Sequence, residues 1–302
     1  MRLDGRKMHG EVSALKISRR AFVGSGTLFM LTAGGAWAAD DRKPVLRIGL
    51  LTDLHYADKA SAGNRCYRET IAKIREAAMK FKDTRVDFVI ELGDLIDEAA
   101  TVDGEIGFLK TICSQFANCA QERHYVLGNH CIWSLTKKQF LDNCGAKNAR
   151  YSFDRGGFHF VILDSCFRGD GVAYGAKNNK WDDADLPAAE RDWLHEDLKA
   201  TRLPTIVFLH HRLDVATAFG VKSAELVRKI LEEAGNVMAV FQGHNHVNEH
   251  RDLRGIHYCT LNAMVEGSGE NNNAYSLLDV FTDGSLRVSG FRTQTSYDLP
   301  RA

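Results

Sequence analysis

The stretch VLRIGLLTDLH, residues 45–55, decides the architecture. Val45 to Leu51 is an apolar run of strand length, and the chain turns polar at its end, at Thr52-Asp53-Leu54-His55. The same event recurs twice. VDFVIELGD (86–94) reads as a second buried strand that ends on Gly93-Asp94, and HYVLGNH (124–130) as a third that ends on Gly128-Asn129-His130. Between them Ile71, Ile74, Ala78 and Phe81 recur at helical spacing, which predicts an amphipathic helix over 66–82. Ile106, Leu109, Ile112 and Phe116 mark another. A βαβαβ rhythm of this kind implies a parallel sheet covered by helices.

Further along, Tyr151 to Leu163 reads as a β-hairpin turning at Gly156-Gly157, and 187–199 as a helix with Pro187 in its first turn. Thr205–Leu209 is a strand leading into His210. Residues 223–234 form a helix, and Val237–Phe241 is a strand ending at Gly243-His244-Asn245-His246. Short strands follow from Gly255, with turns at Asn271–Asn273 and Asp283-Gly284. The fold class is therefore α/β, a two-layered β core with flanking helices in one domain over 44–302.

Residues 1–38 read as an address. Ser18-Arg19-Arg20-Ala21-Phe22 precedes a short apolar run, and Ala36-Trp37-Ala38 is a small-x-small cleavage pattern. The paired arginines resemble a bacterial twin-arginine export signal, which implies the twin-arginine machinery as a partner and a periplasmic or secreted destination. After processing, no run of ~20 apolar residues is left to insert stably in a membrane.

The full chain of 302 residues is formally neutral. Six of its 39 basic and two of its 39 acidic residues lie in 1–38, so the remainder carries 33 against 37, a net of −4. Such a balance offers no footprint for nucleic acid, while a small anionic substrate is compatible with it. The seven cysteines lack a paired Cys-x-x-Cys rhythm and read mostly as small buried hydrophobes. Cys66, Cys131 and Cys166 lie in or near loops of interest, where one disulfide has room to form.

Asp53, His55, Asp94, Asn129, His210, His244 and His246 all fall just past the end of an expected strand, where open α/β sheets gather ligands. Asp53 and His55 are two residues apart, as are His244 and His246, so in extended backbone each pair faces one way. Carboxylate, amide and imidazole groups suit Mn, Fe or Zn, and the absence of thiolates argues against a structural zinc. His211 offers the same group as His210, which is favoured because it follows the strand directly. Trp181-Asp-Asp-Ala-Asp185 reads as a solvated loop and helix cap.

In this order the motifs resemble those of the calcineurin-like metallophosphoesterases, over roughly Leu46 to Phe291. The resemblance implies two packed mixed β-sheets flanked by helices. It implies that Asp53, His55 and His246 hold one metal ion, that Asn129, His210 and His244 hold another, and that Asp94 bridges them. Two divalent or trivalent ions (Mn, Fe or Zn) would then hydrolyse small phosphate monoesters, diesters or nucleotide diphosphates through a bridging hydroxide. His130 would donate a proton to the leaving oxygen or stabilise charge as the catalytic residue. A non-catalytic, metal-binding scaffold of the same fold is the alternative, which lost ligands would signal; none is missing here.

The chain departs from the family pattern at two points. Cys131 stands where an acid usually follows Gly-Asn-His, so a partner for His130 must come from elsewhere. Arg212 stands where the family often has Pro, and it is a candidate for binding substrate phosphate, an ordinary surface arginine being the other reading. Glu98-Ala99 replaces the Arg-Gly of the protein phosphatases, which disfavours phosphoprotein substrates. Asn64 to Arg68, Tyr151 to Asp164 and Asn262 to Glu266 are similar to the manganese-dependent ADP-ribose/CDP-alcohol diphosphatases. On that likeness Arg65 and Arg68 would reach a phosphate and Tyr67 would stack on a base.

Overall fold

The computed structural model describes residues 42–301, and the expected export signal lies outside them. Two six-stranded mixed sheets form the body. The first runs β12-β11-β10-β1-β2-β3, with β1 (Leu46–Leu51), β2 (Phe88–Glu91) and β3 (Arg123–Tyr125) parallel. Its other half, β10 (Ala274–Val280), β11 (Leu286–Arg292) and β12 (Tyr297–Leu299), is antiparallel. The second runs β4-β5-β6-β7-β9-β8. Here β5 (Phe158–Ile162), β6 (Thr205–Phe208), β7 (Val237–Gln242) and β9 (Ile256–Thr260) are parallel. β4 (Tyr151–Arg155) and β8 (Glu249–Leu253) pair antiparallel at the two edges.

Side-chain alternation explains the layers. Leu46, Ile48 and Leu50 of β1 and Phe88 and Ile90 of β2 share one apolar cluster with Phe160, Ile162, Ile206, Phe208 and Phe241 of the second sheet. Successive strand residues point to opposite faces, so Leu51 and Val89 instead join Ile74, Phe81, Leu109 and Phe116 of the covering helices. Those helices are α1 (Thr70–Thr84) and α2 (Val102–Phe116), with α3 (Lys137–Cys144) beside them. On the outer face of the second sheet, Val161, Val207 and Val240 pack with Leu194, Leu198, Val227 and Leu231. The last four belong to α4 (Ala188–Ala200) and α5 (Ala224–Ala234). The central strands β6 and β7, buried on nearly every residue, read as near-continuous apolar runs, whereas β9 and β10 are as buried and carry His257, Ser276 and Asp279.

The differences from expectation are local. The first helix begins at Thr70, because Tyr67–Glu69 form a separate 3₁₀ turn. The ladder of β3 stops at Tyr125, two residues early. All seven cysteines are free thiols, six of them buried, so the room left for a disulfide is unused. Among the described residues no helix is long and apolar enough to cross a membrane.

Candidate metal centre

Five loops, following β1, β2, β3, β6 and β7, deliver the polar groups to one place. They are laced by main-chain bonds: Asp53 N to Gly93 O at 2.9 Å, His55 N to Asp94 O at 2.7 Å and Gly243 N to His210 O at 3.0 Å. Two glycines let the loops close. A Cβ on Gly93 would come within 2.6 Å of the His210 ring, and one on Gly128 would overlap the Asp94 carboxylate. Asp53, His55, Asp94, His244 and His246 are all in the left-handed backbone region, with φ of 52°, 45°, 57°, 69° and 54°.

Each carboxylate has one oxygen committed and one open. Asp53 Oδ2 accepts from the Thr52 hydroxyl at 2.7 Å and from His244 N at 3.1 Å, and Oδ1 has no hydrogen-bond partner. Asp94 Oδ1 accepts from His130 N at 2.8 Å, while Oδ2 lies 3.1 Å from His210 Nε2 and 3.5 Å from His55 Nε2. The imidazoles follow the same grammar. His210 donates from Nδ1 to Leu92 O at 2.9 Å, which turns the Nε2 lone pair inward. His246 donates from Nδ1 to Glu266 Oε1 at 2.6 Å, and its Nε2 stands 3.2 Å from Asp53 Oδ1 and 3.1 Å from His55 Nε2. A carboxylate or carbonyl behind a ligating histidine is the usual support of a metal site.

Electrostatics divide the histidines: burial lowers His210 and His246, but Asp94 and Asp53 outweigh it, raising His210 and bringing His246 up to about 9. Burial pushes the Asp53 carboxyl up, but His246 and His210 outweigh it and hold it well below the usual carboxylate range. Asp94 is lowered in the same way, burial being overcome by His210 and His130. Burial, with a smaller push from His210, brings His244 down to about 3, and burial brings His55 down to about 4. Both therefore stay neutral with a lone pair free. Buried, unpartnered atoms gather here: Asp53 Oδ1, Asn129 Oδ1, His210 Nε2 and His244 Nε2. Orphaned buried acceptors are costly, and a bound cation is what such a set fits. Asp53, His55 and His246 form one set of ligand atoms mutually within 4.8 Å, and Asp53, Asp94 and His210 form another.

Six of the seven expected residues, Asp53, His55, Asp94, His210, His244 and His246, fall in overlapping sets of this kind, with His211 beside His210 and His244, and Asn129 precedes His130 on the loop whose main chain bonds Asp94. His130 stands beside them, its Nδ1 donating to Asp97 Oδ1 at 2.8 Å. His211 is buried too, its Nδ1 bonded to the Ser165 hydroxyl at 2.8 Å. Arg212 departs from both sequence readings: it is not on the surface, and its guanidinium is engaged by acids rather than open to a phosphate. Its guanidinium is 2 % exposed and is taken up by Asp214 at 2.6 Å and Glu249 at 2.7 Å. Tyr67 is also corrected, being buried beneath the Lys59 ammonium rather than open for stacking. Arg68 pairs with Asp58 on the surface, and Arg65 lies 3.9 Å from Asp97 at the margin of the site.

Three neighbours of this cluster had no role assigned from the sequence. Glu91 is buried beneath the ligands, where desolvation and the charges of Asp53 and Asp94 raise its carboxyl well above the ordinary range. Glu266 backs His246. Trp181, read as part of a solvated loop, sits half-exposed with its ring 6.2 Å from that of His244 and 5.3 Å from that of Phe219. It lines a cleft of about 420 Å³ with Asn129, His130, Trp133 and Lys180.

The comparisons with known proteins now have a geometry to meet. The calcineurin-like phosphoesterase family matches residues 46–248, and the chain belongs to it. It is a metal-dependent hydrolase of phosphate esters. A manganese-dependent ADP-ribose/CDP-alcohol diphosphatase from Oryza sativa subsp. japonica is 22% identical over 86% of this chain and 95% of its own length. A 3',5'-cyclic-nucleotide phosphodiesterase from a Nostoc strain is 27% identical over 72% of this chain and 78% of its own. Among solved structures, a dimetal phosphatase from Danio rerio shares the fold with a TM-score of 0.76 at 20% identity, covering 86% of this chain and all of that one.

Proposed function

We propose that this chain is a dinuclear-metal phosphohydrolase acting on small nucleotide-like phosphate esters, nucleoside diphosphate derivatives foremost. The carrying observation is that two ligand sets share Asp53 and adjoin at Asp94, each with buried atoms that lack a partner. Asp53, His55 and His246 would hold one ion, Asn129, His210 and His244 the other, and Asp94 both. When bound, a pair of such ions activates water and neutralises phosphate charge.

The chain's own side chains supply the rest. Asp97 accepts from Nδ1 of His130 and fixes the ring; burial disfavours the imidazolium, but Asp94 and Asp97 outweigh it and raise the pKa, and in that protonated form Nε2 carries the proton that can face a leaving oxygen. The Trp181 ring offers a flat apolar face beside the ligands, and Lys180 offers a charge beside it. The substrates named for the rice and Nostoc relatives, ADP-ribose, CDP-alcohols and cyclic nucleotides, all carry a base and a phosphate ester and suit such a cleft.

The test is turnover of ADP-ribose, a cyclic nucleotide and an aryl phosphate by the manganese-loaded chain. Hydrolysis of ADP-ribose is expected, with Trp181→Ala raising its KM and leaving that of the aryl phosphate unchanged. A loaded enzyme that turns over the aryl phosphate alone would overturn the nucleotide reading. Export belongs to the same proposal, supported by Arg19-Arg20 and Ala36-Trp37-Ala38. Residues 1–38 fused to a folded reporter should carry it out of the cytoplasm, and a reporter left inside refutes this.

A further inference from the structure

Lys73 is 1 % exposed, although lysine usually keeps its ammonium in water. Its Nζ donates to main-chain carbonyls: Met264 at 2.8 Å, Glu266 at 2.8 Å, Gly267 at 2.7 Å and Asn272 at 3.2 Å. All four belong to one loop, so a buried cation is solvated by the dipoles of a single segment. One turn earlier on the same side, the Glu69 carboxylate accepts from Gly269 N at 2.7 Å and from the Ser268 hydroxyl at 2.9 Å. One turn later, Glu76 accepts from Asn273 Nδ2 at 2.8 Å. Positions 69, 73 and 76 are spaced i, i+4, i+7 and share one helical face.

The other side of that loop touches the metal centre. Met264 N and Val265 N each donate at 3.1 Å, to Thr52 O and Asp53 O respectively. Glu266 holds Nδ1 of His246 at 2.6 Å. Residues 268–272 are exposed, and Gly267 and Gly269 have φ of 70° and 78°; besides α1, the segment is held at its start by Gly267 N donating to Asn64 O at 2.8 Å and Cys66 N donating to Val265 O at 2.9 Å. We propose that Glu69, at the N-cap of α1, together with Lys73 and Glu76 on the same side of that helix, is a positioning clamp for the metal centre, with Lys73 as its chief member. It holds Glu266, and through Glu266 the ring of His246, while touching neither ion nor substrate. The inference rests on the reading of His246 as a ligand.

The experiment is direct manganese binding by titration calorimetry on the mature chain, with no activity readout. Lys73→Met should weaken one of the two sites by about 10–100-fold, the usual effect of losing support behind a ligand, and spare the other. Glu266→Gln should weaken the same site, and the double variant should be no worse than the more severe single. Ethylammonium added to Lys73→Ala should restore part of the loss, which general destabilisation would not allow. Wild-type affinity at both sites in folded Lys73→Met, or strictly additive losses, would overturn the clamp. Should Lys73→Met fail to fold, Glu69→Gln carries the test: a smaller loss at that same site supports the clamp, and unchanged affinity overturns it. A wild-type chain that binds no manganese overturns the proposed function itself, a result distinct from any failure of the variants.

Discussion

Asp97 and His130 reach each other from different loops, the one after β2 and the one after β3, and close to 2.8 Å. The carboxylate is 3 % exposed, and the imidazole, 24 % exposed, keeps an edge open to the cleft. Cys131 occupies the position from which the family usually supplies an acid, and Asp97 provides the missing partner. His130→Ala should lower kcat by about 10²–10⁴-fold, the scale of general acid catalysis. Asp97→Asn should lower it less, and the double variant should match His130→Ala, because both act through one proton. Steady-state kinetics on enzyme of verified metal content decides this, and additive losses would count against it.

Asp94 is the residue that both ligand sets adjoin, since its Oδ2 faces His210 and His55 together. Asp94→Asn should therefore reduce the content of both ions, where Asn129→Ala should reduce only one. Elemental analysis after gel filtration reads the difference. Chelation of the wild-type enzyme should abolish turnover, and added manganese should restore it.

Arg212 holds Asp214, and Asp214 also accepts from the Gln242 side chain. Both partners of the pair are buried, and Arg212→Met leaves the Asp214 carboxylate to Gln242 and to the Arg251 guanidinium 3.4 Å away. The expected destabilisation is about 3 kcal/mol, the low end of the range for breaking a buried ion pair from one side. Urea denaturation measures it. The KM of the folded remainder should not move, and a raised KM with normal stability would return Arg212 to the substrate.

His159 is a buried imidazole between two acids, Nδ1 2.6 Å from Asp154 and Nε2 2.9 Å from Asp197. The bond to Asp197 raises its pKa, burial opposes this, and Asp154 adds to the rise. A raised folded value means that the contribution is complete below the unfolded value of about 6.5 and disappears as pH climbs through the folded one. The stability gap between wild type and His159→Gln should thus be about 2 kcal/mol in mild acid, the scale of a hydrogen bond to a charged group. It should shrink in alkaline solution. A gap that widens with pH contradicts the sign.

Much of this was legible along the chain. Apolar runs ending in Asp, Asn or His marked five strands and the polar residues gathered past their ends, because burial on both faces and polar groups past a strand end leave local, ordered marks. Glu249–Leu253 left none: β8 is a hydrophilic edge strand with little buried, so no apolar run announces it. α3 spans only eight residues with Phe140 and Cys144 as its buried pair, too short for periodicity to stand out, although Thr136 and Gln139 form its capping box. Glu266 behind His246 and Lys73 beneath Glu266 are contacts across 20 and 193 positions. Such pairings exist only after tertiary packing, and Lys73 in a helical stripe reads as a solvated charge. Arg212 was misread for the same reason, since nothing nearby in sequence reveals that Asp214 and Glu249 meet it in the interior.

Ten non-glycine residues among those described have a positive φ, and five of them belong to the proposed ligand set. A side chain in that conformation costs about 1–2 kcal/mol, least for Asp and Asn, whose short polar groups bond locally. On the proposed function, positions 53, 55, 94, 244 and 246 are filtered twice, once by the cation and once by the peptide that carries them. Exchange among Asp, Asn and His stays within what the main chain accepts. Val, Ile or Thr would be refused there before coordination became an issue, so drift at this centre is channelled toward neighbouring donor chemistries.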